Sequence, residues 1–271
     1  MSKRVVMKLS IKCGLLAFIL GTGFAVHQIK EERVENKSAV KVESKERWAN
    51  PQNALNEAFG IIKSDSISRV IYDPVFEQTE LYVRSKLEAI GAEQQTIENY
   101  LTKNKDSALG NHYMNTVSFF RYTGDNEKRP VFVREKFFKD PDTKGRGDLI
   151  SALRHEEVHA KEESEGYELS NRRLKSDEIV PLLREKMLRV ENVYIIGEFD
   201  AYTTQFEAAL TEKEPPSTGT LKNTKQKAYS FLFQIESAIN MGTLTSIEKD
   251  HARTKLRKHK KAIQSLKKMY K

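Results

Sequence analysis

From Asp148 to Gly166 the chain reads DLISALRHEEVHAKEESEG, and its apolar residues recur at helical, not strand, spacing. Leu149, Leu153 and Ala160 fall on one stripe, while Asp148 is placed to cap the start and Gly166 to stop the element. His155 and His159 stand four positions apart; four residues advance a helix by about 400°, so the two rings sit about 40° from each other, one turn above the other. That flank lies about 140° from the apolar stripe by the same arithmetic. The helix is therefore expected to bury one side in a core and turn its histidines toward a cleft.

His155-Glu156-Glu157-Val158-His159 matches HExxH. The spacing lets both imidazoles reach one zinc ion, while Glu156, between them on the same helix, accepts a proton from a water without occupying a coordination position. A bare HExxH arises by chance in roughly one chain in a hundred of this length, so a third ligand is needed to give it weight. A second helical run supplies one: Gly197-Glu198-Phe199-Asp200-Ala201-Tyr202-Thr203-Thr204-Gln205. Glu198 shares its face with Ala201, Tyr202 and Gln205, small or polar groups suited to close approach. It is preferred as ligand over Asp200, which shares its face with Thr204 and Glu207 and is expected to point to solvent. Phe199, Phe206 and Leu210 form the stripe expected to anchor this helix. Tyr202 and His112 are the candidates for steadying a developing oxyanion, and Glu162 and Glu163 read as a solvated helix end.

His155 to His159, followed 39 residues later by Glu198-Phe-Asp-Ala-Tyr, resembles the gluzincin pattern, in which HExxH is completed by a Glu on a later helix. The E-[FY]-x-A segment is similar to that of the membrane-associated peptidases related to the CAAX-prenyl endopeptidases. That family usually has an Asp after the Ala, where this chain has Tyr202, and its multiple membrane spans have no counterpart here. The resemblance covers about residues 116 to 210 in layout but two short motifs in identity. It implies a Zn2+-dependent metallopeptidase with His155, His159 and Glu198 as ligands and Glu156 as general base. It also implies that VFVREKFF lies along the rim of the cleft, where an extended peptide or protein substrate would pair with it.

The rest of the chain sets the surroundings. Lys3, Arg4, Lys8 and Lys12 precede an acid-free apolar run from Cys13 to Val26, the layout of a secretory signal peptide cleaved near Ala25, with an uncleaved inner-membrane tether as the alternative. The protein is therefore expected to be exported, periplasmic or secreted. Cleavage removes Cys13, the single cysteine, so no disulfide is available. Residues 1–25 hold four bases and no acids, half of the net charge of +8, and no nucleic-acid partner is expected.

Residues 26–50 read as a charged tether, 51–211 as a zincin-like catalytic domain, 212–223 as a linker and 224–271 as a basic helical hairpin. Two helical patterns lie between Pro51 and Asn104, a β-hairpin is expected from about Thr116 to Phe138, and helices follow Pro181 and span about Val193 to Leu210. The fold class is α+β, mostly helical, with a small antiparallel sheet beside the HExxH helix. Residues 249–271 carry ten Lys or Arg against one Asp. With Leu256, Ile263, Leu266 and Tyr270 near heptad spacing, this tail reads as an amphipathic helix packed on the body, or alternatively as a contact for an anionic membrane or cell-wall surface. Two readings compete with the peptidase: a cell-wall amide hydrolase using the same zinc site, and a non-catalytic helical protein acting through its tail.

Overall fold

The computed structural model describes residues 48–89, 91–111, 114–116, 128–140 and 143–270. The proposed signal segment, most of the tether, the hairpin turn and His112 lie outside them. The elements run α1 (Pro51–Ile62), β1 (Ile67–Tyr72), α2 (Glu77–Ala89), α3 (Gln94–Asn111), β2 (Met114–Thr116), β3 (Arg129–Val133), α4 (Glu135–Lys139) and α5 (Arg146–Glu165). After them come β4 (Tyr167–Glu168), β5 (Arg173–Leu174), α6 (Ser176–Arg184), α7 (Val190–Ala209), α8 (Thr218–Asn240), α9 (Ser246–Lys258) and α10 (Lys260–Met269). The fold is α+β and predominantly helical. Among the described residues no helix is long and apolar enough to cross a membrane.

The sheet beside α5 is mixed. Its order is β1-β3-β2, with β1 parallel and β2 antiparallel to β3. The β2–β3 pair matches the expected hairpin, but β1 lies in a stretch read as the gap between two helices, and α3 was not foreseen. Alternation along β3 explains its burial on both faces: Val131 and Val133 pack with Leu55, Ile67, Leu149 and Leu153, whereas Phe132 packs with Val83, Leu87 and Ile97 on the other side. Val131–Val133 of β3 pair with β1 on one edge and β2 on the other, so that stretch is closed to an extended peptide, which overturns the expected rim strand. The extended reading also fails beyond Val133, where Glu135–Lys139 turns into the short helix α4 and buries Phe137 and Phe138.

Helix α5 buries the expected stripe, since Leu149, Leu153 and Ala160 are all fully enclosed. Each leucine so buried contributes about 1.5–3 kcal/mol. The cap differs slightly from expectation. Gly145 is the N-cap, and Asp148, in the first turn, accepts from the backbone N–H groups of Lys144, Gly145 and Ser217. Gly166 ends the helix at φ +90°, and an added Cβ there would meet the Leu174 carbonyl oxygen at 1.9 Å, so no other residue fits. Pro181 falls inside α6, not ahead of it.

The C-terminal part adds a helical layer over α7. From Trp48 on, the chain forms one compact unit. Helix α8 starts at Thr218, with Ser217 as N-cap, six residues before the expected start. Leu232, Ile235 and Ala252 share a core with Ile196 and Phe199 of α7, while Ala262 and Leu266 pack with Phe206. The tail is thus packed by its apolar stripe, as two helices broken at His259. Leu210, expected in the anchoring stripe, is exposed instead.

Candidate metal centre

The side chains of His155 and His159 on α5 and Glu198 on α7 meet between the two helices. The Nε2 atoms of the histidines are 3.1 Å apart. Glu198 places Oε1 at 3.4 Å from His159 Nε2 and Oε2 at 3.7 Å from His155 Nε2. Zinc bonds of about 2.0–2.1 Å at a tetrahedral angle put neighbouring donor atoms about 3.3–3.4 Å apart, and the separations here, with the two histidines measured to different oxygens of Glu198, fall around that value. The donor set, two imidazoles and a carboxylate, is of the kind that leaves a catalytic metal its fourth position.

Several features of the sequence bring the helices this close. Gly197 precedes Glu198, and a Cβ on it would lie 3.1 Å from Glu162 Oε2 on the opposite helix. Ala201, one turn past Gly197, is fully buried. Gln205 then donates to Ser151 Oγ at 2.9 Å across the interface, both residues being buried.

The two histidines shift in opposite directions. Burial first, and the neighbouring His159 second, push the His155 ring down to about 3. His159 moves the other way, up to about 9: burial opposes the shift, but hydrogen bonding to Glu198 and the charges of Glu198, Glu156 and Glu162 outweigh it. Two imidazoles at 3.1 Å cannot both carry a proton between them, so one donates to the other or both turn lone pairs toward a shared positive ion. Gln205, which also donates to Ser151, hydrogen-bonds the buried His155 ring and opposes part of its lowering.

Glu156 is buried, and its charge bears on both His159 and the Tyr202 hydroxyl. Tyr202 packs its ring 4.3 Å from His155 and stacks on Phe231 at 5.8 Å. Burial, then the charge of Glu198, raises its hydroxyl above the ordinary tyrosine value, so it stays protonated as a donor. His112, the other oxyanion candidate, is outside the described residues.

Two sequence expectations fail here. Asp200 is only 1 % exposed, not turned to solvent. It receives the ammonium of Lys255 on one oxygen; on the other it takes Lys258 Nζ at 2.7 Å and His259 Nε2 at 2.6 Å. Glu162 and Glu163 are buried as well, and Glu162 pairs with Lys255 at 2.9 Å. Burial opposes ionisation of Asp200, but His259, Lys255 and Lys258 hold its carboxyl well below the usual range. The missed signal for Glu162 was local: seven residues after His155, it falls about 20° from that ring on the helical wheel.

The chain matches no family model, no curated protein and no solved structure.

Proposed function

We propose that the protein is a zinc-dependent metallopeptidase in which His155, His159 and Glu198 hold the metal and Glu156 is the general base. The observation that carries this reading is the meeting, from two helices, of two imidazole nitrogens 3.1 Å apart with a carboxylate whose oxygens lie 3.4 Å from one and 3.7 Å from the other. A zinc ion held there supplies a Lewis acid for the scissile carbonyl and acidifies a water. Glu156, next to His155 on α5, accepts the proton of the attacking water and returns it to the leaving amine. Tyr202, kept protonated by its surroundings, is the donor nearest to hand for negative charge developing on the carbonyl oxygen. Since Val131–Val133 of β3 are paired on both edges, substrate recognition falls to side chains around the cleft and not to strand addition on that stretch. The basic and apolar N-terminal stretch supports an exported setting for this activity.

Metal analysis of the purified protein, paired with cleavage of a peptide mixture, tests the reading. One zinc per chain is expected, and Glu156→Gln should keep the metal while losing about 10²- to 10⁴-fold in hydrolysis. A wild-type protein that takes up no stoichiometric zinc at neutral pH sinks the proposal.

A further inference from the structure

Helix α9, from the basic tail, packs on α7 and against β4, the strand that follows α5, and reaches α5 through single side chains. Near its start, buried Glu248 accepts the backbone N–H of Arg189 at 2.7 Å, at the entry to α7, and Asn192 Nδ2 at 2.9 Å. One turn on, His251 Nδ1 meets the Glu168 carbonyl at 2.7 Å, just past the end of α5. Another turn on stands Lys255, 3 % exposed. Its ammonium touches Glu162, three residues after ligand His159, and Asp200, two residues after ligand Glu198. The Glu162 carboxylate in turn lies over Gly197, next to the ligand Glu198.

A buried ionic cluster costs desolvation that packed apolar groups would avoid, so stability alone is a weak reason for a lysine at this place. What a lysine does and a leucine does not is hold two carboxylates, one from each helix, at set distances from a single point. We propose that Lys255 is a positioning residue for the metal centre, fixing the spacing of α5 and α7 so that His155, His159 and Glu198 converge. The inference rests on the zinc reading above. It makes the C-terminal segment part of the site instead of an appendage.

Zinc affinity of the full chain, measured by competition with a chromophoric chelator and accompanied by circular dichroism, tests it. Lys255→Met is expected to stay folded, to bind zinc at least about tenfold more weakly, within the 10–100-fold range of outer-sphere partners, and to give a cobalt form with shifted d–d bands. Lys267→Met, which removes a surface base paired with Glu236, should bind zinc like wild type. A folded Lys255→Met with a smaller loss of affinity overturns the proposal. Should Lys255→Met not fold, Lys255→Met/Glu162→Gln, which restores the charge balance, is held to the same threshold. If neither folds even in saturating zinc, Lys255 is a general stabilising residue and the proposal falls. Wild-type protein that binds no zinc brings down the metal reading itself, a result distinct from all of these.

Discussion

Asp73 and Asp200 are both buried aspartates met by a cation from far along the chain, but their surroundings differ. Asp73 Oδ2 accepts Arg134 Nη1 at 2.7 Å, the Thr79 hydroxyl at 2.7 Å and the Thr79 N–H at 2.8 Å, while Oδ1 takes the Gln78 N–H at 3.2 Å. Arg134 returns a further bond to the Asp73 carbonyl at 2.9 Å. Around that aspartate every charge is cancelled by the protein itself. Asp200 sits in a set that mixes Lys255, Lys258 and His259 with Glu162 and Glu207, and two residues away begins the triad of His155, His159 and Glu198. A closed ionic set near the sheet behaves as structure; the set along α7 is open toward the three side chains proposed above to hold zinc.

Breaking the closed set should have the largest effect on folding. Arg134→Met strands a buried carboxylate and is expected to cost about 3–5 kcal/mol in chemical denaturation, with zinc bound per folded molecule unchanged. The open set should respond the other way. His155→Ala or Glu198→Ala is expected to weaken zinc binding by more than about 100-fold, beyond the range of outer-sphere partners, while the metal-free protein loses much less stability than Arg134→Met. Equal losses of stability in all three variants would erase the contrast.

The smallest effect is in pH dependence. Burial opposes a lowered value at Asp73, but Thr79 and Arg134 prevail and hold it below the ordinary carboxylate range. Its contribution is therefore present above about pH 3.9 and is lost as pH falls through the depressed value. His259 is the opposite case: burial alone would lower it, but Asp200 and Glu207 raise it. Its contribution is full below about pH 6.5 and drains away as pH rises through the raised value. Asp200 also weakens in acid, so the alkaline limb is the one that separates the two regions. Urea midpoints taken from about pH 6 to about pH 9 should fall for wild type, and His259→Gln should flatten that slope. A flat wild-type profile would remove this distinction.

What the sequence made legible follows from distance along the chain. Helix α5 could be read because its stripe, its histidines and its terminal glycine are all set within one element, and Glu198 because its helical neighbours are small or polar. Strand β1 could not, since its partner β3 lies about sixty residues downstream and a six-residue run shows nothing of that pairing. Asp200 was misplaced for the same reason. A charged residue reads as exposed until its counter-charge is known, and here the two are 55 residues apart.

Gly197 carries a consequence for any attempt to alter the protein. A methyl group at that point would press on the Glu162 carboxylate at 3.1 Å, which must then yield by a few tenths of an ångström. The gap between the two helices is gauged by an atom that is missing, so the smallest possible enlargement works as a shim, felt first where Glu162 leans on the helix that carries Glu198.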